Sequence, residues 1–523
     1  MRSARRSLFE PRATAGQLEI GLRGLLMLAS IMAVGLGLRL FRLDYMGYWH
    51  DEVISSFAAR PPALEIFRSI TANDTHPPLY HILLHFWGAR FGYEIISLRL
   101  FSVLISLLCV PAVYLLGRTL LGHATGLVAA ALMASSPFLI FHGQQARMYP
   151  LLTLLLLLTT LAFLAAWRRG GAWRWALFGL AAAAGFYTHV YFGFSLLGLN
   201  LWALAESVRL RQLDRRAWAG LILAQLVAVL CFSPFLLTML TLTSAVVADF
   251  WIRGSSPLSW LFALMAILNN ATLLDGQAPL LLVLLLYVPA VSALVFAVAF
   301  AVGQIWRGAE EGPAWSLLLF ALLTPCLVAT VLSLTVRPIL LDRSLIGVSG
   351  PLFILLAGAA VRGWQRWLTR ALTAAVAVSI VAGLAITYPS APAPHSLQPP
   401  LDALFSARRP GDAVILLDWQ SFDLAALRYP DATDVYFGGP AASIGASQRR
   451  MAFMRWHTPD QVGPAEGYAG RYRRVWLFST RYTYPTFWAA TKPWLSEHGR
   501  LAEQREIGRG TGLGTLQLYE MRP

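Results

Sequence analysis

Lysine is almost missing from this chain: Lys492 is the single one among 42 basic residues, and the others are all arginine. The apolar part therefore offers no amine for a Schiff base, and any phosphate held there must be held by guanidinium groups. Cysteine is scarce too. Cys109, Cys231 and Cys326 fall inside apolar runs without metal-ligand spacing, which leaves them the role of small hydrophobes. Charge of either sign is thin, at 13% of residues against 57% hydrophobic. A formal net charge of +15 would suit a nucleic-acid binder, but the basic residues form no single patch. They recur in short clusters between apolar runs, which is how orientation is encoded in a membrane protein. No nucleic acid is expected as a partner; membrane lipid is.

What the chain has in quantity is membrane-length apolar sequence. A mean hydropathy of +0.57 places it among polytopic α-helical membrane proteins. Arg2, Arg5, Arg6, Arg12 and Arg23 precede a first span near 22–41 and set the N-terminus in the cytoplasm. That run is long and lacks a small-residue cleavage site, so it reads as a retained helix. Further spans are expected near 95–116, 125–141, 150–166, 175–187, 190–205, 217–240, 279–303, 315–335, 344–361 and 371–387, eleven in all. Residues 42–92 then form a first outer loop, with Val53–Ile70 and Leu79–Phe91 as helices along the membrane surface. A later outer loop holds Asp249, Arg253 and Asp275.

Beyond the membrane domain, 1–390, a proline-rich linker at 391–400 leads to a small soluble α/β domain, 401–523, on the outer face. Strands are expected at 413–417, 475–478 and 516–519, with helices near 421–428 and 485–498. This domain has no phosphate loop, and its expected role is that of a lid or docking module.

Ionisable chemistry gathers in Tyr48-Trp49-His50-Asp51-Glu52 and in Asp74-Thr75-His76-Pro77-Pro78-Leu79-Tyr80. Carboxylates at a bilayer edge are costly to desolvate unless something uses them, so this loop reads as the catalytic centre of a membrane enzyme. Adjacent side chains point different ways, so Asp51 and Glu52 are not a matched acid–base pair. One acts as a base, or both cap the helix that follows. Arg99, Arg147 (with Tyr149) and Arg343 (beside Asp342) stand at the outer ends of spans. Such guanidiniums either snorkel or bind an anion, and three on the carboxylate face favour a phosphate cradle; Asp342 could instead pair with Arg343. His50, His76, His81 and His85 have possible metal spacing, but no glutamate lies between His81 and His85 as a zincin requires, and no metal site is assigned. The aromatics Trp49, Tyr80 and Tyr149 are either interface belt or sugar-stacking groups.

Trp-x-Asp-Glu in the first loop, then His-Pro-Pro-Leu-Tyr, a helix opening Leu98-Arg99-Leu100, and Gln-x-Arg-Met-Tyr at 145–149 together resemble the C-type glycosyltransferases. The nearest group is the bacterial branch of family 39, with the protein O-mannosyltransferases and the aminoarabinose and galacturonic acid transferases of lipid A. The likeness covers about 20–390 and is strongest over 40–150. It implies the C-type fold, a polyprenyl-phosphate monosaccharide donor, inversion at the anomeric carbon and no required cofactor, with a divalent metal (Mg or Mn) optional. By motif position, Asp51 falls at the family's catalytic carboxylate and Glu52 at its partner. His76 falls in the turn that closes the site, Arg147 and Tyr149 in the second outer motif, and Arg343 in the late arginine loop. Two positions depart from the pattern. Arg343-Ser344 replaces the commoner Arg-Tyr, and Gln145 stands where many members carry Glu, which removes a carboxylate a metal would use.

The expectation is a glycosyltransferase of the bacterial inner membrane with a periplasmic or extracellular C-terminal domain. It passes one sugar from the lipid donor to a hydroxyl of a lipid, glycan or protein acceptor. Asp51 serves as base, with Glu52 beside it; Arg147, Arg343 and Arg99 hold phosphate; His76, Tyr149, Trp49 and Tyr80 hold substrate. The alternatives are transfer of a whole glycan or phospho-group from the same carrier, a lipid or sugar transporter (flippase), and a scaffold displaying the tail. A transporter would want mid-span charges and matched broken halves. Here the charges collect at the outer ends and no repeat is visible.

Overall fold

The computed structural model describes residues 21–44, 47–73, 76–248, 256–269, 279–363, 366–388, 396–438, 462–463, 467, 469–481, 483, 485–508 and 513–522. The N-terminal arginines up to Arg12, Asp74-Thr75, the loop residues Asp249, Arg253 and Asp275, and Pro389, Pro392 and Pro394 of the linker region lie outside them. Packing divides the chain into two units. One comprises Met1–Phe41, Asp74–Leu83 and Arg99–Pro389; the other comprises Arg42–Asn73, Leu84–Leu98 and Ser390–Pro523. A division at 390 alone was expected. The first-loop segments instead pack with the C-terminal domain.

The first unit is helical. Among the described residues, eight helices are long and apolar enough to cross a membrane: Leu22–Leu40, Ile95–Leu121, Tyr149–Arg169, Arg215–Leu237, Leu280–Trp306, Gly312–Thr335, Arg343–Gly363 and Trp367–Ala385. A ninth exists if the bent pair His123–Ser135 and Pro137–Gly143 counts as one span. The expected eleven therefore reduce to eight or nine. The two that fall away, Ala172–Phe186 and Phe192–Arg209, are helices of 15 and 18 residues. Fifteen residues rise only about 22 Å against a hydrocarbon core of about 30 Å. The longer one carries Asn200, Glu206 and Arg209.

The bent pair has a specific cause. Pro137 has no N–H to give the Met133 carbonyl, so the helix breaks there by 57°. Arg39 takes up the orphaned carbonyls, donating to Ala134 O at 2.8 Å and Met133 O at 3.1 Å. It also reaches Ser106 Oγ at 2.8 Å and Gly35 O at 3.0 Å, and is fully buried. Ser136 then caps the new helix, its Oγ accepting from Leu139 N at 3.2 Å. Ahead of the pair, Gly122 (φ +91°) turns the chain between helices Ile95–Leu121 and His123–Ser135. Those helices close tightly enough that a Cβ on Gly126 would stand 2.6 Å from Tyr114 O.

The second unit is built on a six-stranded sheet. Its strands are β1 (Asp412–Leu416), β2 (Val435–Gly438), β3 (Val462–Gly463), β4 (Arg474–Thr480), β5 (Gly499–Ile507) and β6 (Gly514–Met521), in the order β3-β2-β1-β4-β6-β5. β3, β2, β1 and β4 run parallel; β6 is antiparallel to both β4 and β5. β1, β4 and β6 coincide with the three expected strands, and helices Trp419–Arg428 and Pro485–His498 with the two expected helices. The expected helix Val53–Ile70 is two helices, His50–Ala58 and Ala63–Asn73, because Pro61 and Pro62 interrupt it. Val53 and Phe57 of the first share one hydrophobic core with β1, Phe422 and Phe437.

Candidate active site

In the helical unit, the loop after Pro137–Gly143 starts helix Tyr149–Arg169 and carries Gln145, Arg147 and Tyr149, all buried. Tyr149 packs its ring edge-on against His142 at 5.3 Å and lies 6.4 Å from the His189 ring. Gln145 Oε1 sits 3.3 Å from His142 Nδ1, so this side chain holds an imidazole. His189 belongs to the short turn between helices Ala172–Phe186 and Phe192–Arg209. Its Nδ1 accepts the Tyr191 N–H at 3.2 Å, which leaves the ring proton on Nε2. Burial first, and then the positive fields of His76, Arg147 and Arg343, hold its pKa down to about 3. His76, Arg147, His189 and Arg343 thus share one electrostatic neighbourhood: two guanidiniums around an imidazole that stays neutral at pH 7.

Tyr80 braces this region from behind. Its buried hydroxyl is 2.8 Å from Ser102 Oγ, and Ser102 donates to Arg147 O at 3.4 Å. Asp342 caps the turn that follows it, its Oδ1 accepting Arg343 N–H at 2.7 Å. Arg99 is buried near the start of Ile95–Leu121.

In the other unit, helix His50–Ala58 carries the two carboxylates in its first turn. Glu52 is buried and reaches back to accept Trp49 N–H at 3.4 Å, which is the capping geometry. Asp51 is half-buried, as is Trp49, the N-cap residue. His50 Nε2 lies 3.1 Å from Asp423 Oδ2, and His85 Nδ1 lies 2.9 Å from Ala59 O. Among the described residues no group of three His, Cys, Asp or Glu is arranged to hold a metal.

The neutral His189 and the His142–Gln145 pair were not singled out from the sequence. An imidazole in a turn between two apolar helices was the signal available for His189.

The chain combines a helical membrane unit with a mixed-sheet domain. The chain is similar over 94% of its length to ArnT from Cupriavidus metallidurans in the apo state (TM-score 0.59, 14% identity, 97% of that chain covered). The undecaprenyl-phosphate-bound form of that protein matches as well, with a TM-score of 0.58, 14% identity and the same coverage of both chains. Residues 75–238 match the family model described as dolichyl-phosphate-mannose-protein mannosyltransferase. No curated protein matches the sequence. The chain is thus a multi-pass helical membrane protein with the fold of that ArnT structure.

Proposed function

We propose that this enzyme moves a single sugar from a polyprenyl-phosphate donor to an acceptor hydroxyl at the outer face of a bacterial inner membrane, with inversion. The observation that carries the reading is a buried Arg147 and Tyr149 in the same loop, with the Tyr149 ring 6.4 Å from a buried His189 on which Arg147, Arg343 and His76 act electrostatically. A buried Arg147 and His189 with a half-buried Arg343 and His76 offer cationic and N–H donors that suit a phosphate whose charge grows as a bond breaks. In the reaction, the Asp51 carboxylate takes the acceptor hydroxyl proton. The acceptor oxygen forms its bond to the anomeric carbon from the face opposite the phosphate. The anomeric carbon–oxygen bond to phosphate breaks, and its electron pair stays on the phosphate oxygen.

The leaving group is thus a polyprenyl phosphate monoester, stable without protonation, so no general acid is needed. Arg147 and Arg343 hold that phosphate, with Arg99 a further candidate. His189 adds an Nε2–H donor without adding charge that would trap the product. Trp49, His76 and Tyr149 contact the sugar or acceptor, and Tyr80 supports the Arg147 loop through Ser102. Glu52 shapes the turn on which Asp51 sits. No step is routed through a metal. The acceptor is a lipid, glycan or protein hydroxyl.

The test is label transfer from a panel of radiolabelled undecaprenyl-phosphate sugars into membrane extract. Asp51→Asn should lower turnover by about 10²–10⁴-fold, the range for loss of a general base. Turnover of that variant at the wild-type rate would remove Asp51 from the role. Failure of the wild type to bind or turn over any lipid-phosphate sugar would sink the reading.

A further inference from the structure

Among the described residues the sheet domain shows no catalytic constellation of its own, yet it grips the helix that carries Asp51. His50, Val53 and Phe57 occupy positions i, i+3 and i+7, one face of that helix. Along this face Val53 and Phe57 enter the core built on β1, Phe422 and Phe437. At its end His50 Nε2 meets Oδ2 of Asp423, a fully buried carboxylate on helix Trp419–Arg428. A carboxylate can only accept, so the imidazole donates from Nε2. Helix Trp419–Arg428 is itself pinned: Asp418 accepts from Ser421 N at 2.8 Å and from Thr480 Oγ1 at 3.0 Å.

Asp51 follows His50 by one residue, about 100° around the axis, and so lies off the docked face. A nine-residue helix has little stability alone, and apolar contacts leave its rotation soft. A directional hydrogen bond at the first residue does not. We propose that Asp423, acting through His50, is a positioning residue that fixes the rotation of this helix and so aims the Asp51 carboxylate. The inference rests on Asp51 as the base of the proposed transfer.

The test uses the full-length protein as wild type, Asp423→Leu, Asp423→Asn and His50→Leu, each alone and combined with Asp51→Asn. Turnover and undecaprenyl-phosphate binding are both measured. Asp423→Leu and His50→Leu should each lower kcat roughly tenfold or more, as misplacement of a reacting group does. KM for the donor should stay within about twofold, since binding of the lipid phosphate is not what is lost. Asp423→Asn keeps an acceptor oxygen for the imidazole and should recover most of the rate. In the Asp51→Asn background neither leucine variant should cause further loss. If Asp423→Leu fails to fold, His50→Leu, at a half-buried position, carries the comparison. Wild-type kcat in the leucine variants beside an inactive Asp51→Asn overturns the positioning role alone, as do undiminished further losses in the Asp51→Asn background. Wild-type turnover in Asp51→Asn overturns the base assignment and the positioning role together.

Discussion

At the scale of single residues, His189 gives the sharpest expectation because its charge state is set by its surroundings. Above pH 6.5 neither the folded nor the unfolded chain holds a proton there. Below it the unfolded chain takes one up, while the folded chain does not until about pH 3. Native stability is therefore lost as pH falls through this window. At pH 5 the difference amounts to roughly 2 kcal/mol. His189→Gln keeps a side-chain N–H donor but does not titrate, so its melting temperature in detergent should fall less between pH 7 and pH 5 than that of the wild type. Equal falls in the two proteins would mean that His189 is not held neutral. None of this was legible in the sequence, because a histidine in a turn carries no periodic signal. Glu52 was legible only as an alternative: two adjacent acids before a helix read first as a base and second as a cap, and its carboxylate is bonded as a cap.

Secondary elements differ in how plainly they were written. β1 was readable because a strand buried on both faces is one unbroken apolar run, Ala413 to Leu416. β5 was not, since Arg500, Glu503, Arg505 and Glu506 on an edge strand look like a solvated segment. Pro61-Pro62 was passed over because apolar residues on both sides maintain a helical period across it. The helix break at Pro137 has a measurable consequence. Arg39→Met would leave the Met133 and Ala134 carbonyls without their donors inside the bundle, at a cost of about 2–5 kcal/mol. A thermal melt of the purified protein should show that loss, and an unchanged melt would deny Arg39 its bracing role. Arg39→Lys should not restore the bracket, since one ammonium cannot span acceptors that a guanidinium fork reaches together.

For the molecule as a whole, the membrane class and the presence of an α/β tail followed from composition and hydropathy, whereas Pro399 and Pro400, read as linker, open helix Gln398–Ala407. The allegiance of the first loop did not. No local pattern in residues 42–73 announces a partner beyond residue 390, and the shared core discloses it. Phe57→Ala should accordingly destabilise the sheet domain by about 3 kcal/mol, followed by proteolysis or chemical unfolding of the C-terminal half. Resistance equal to wild type would mean the two segments fold independently.

That discontinuity also has a meaning in time. Helix His50–Ala58 is made early, whereas β1, β4 and β6, against which its apolar face closes, are made last. At about 5–20 residues per second, the interval between them is on the order of 20–90 s. For that period Val53 and Phe57 have no core to enter, and the nascent acidic helix has nothing to hold its orientation. On the role proposed for Asp51, the chain gains its activity only after the C-terminal domain has emerged, and a prematurely terminated product would occupy the membrane without competence.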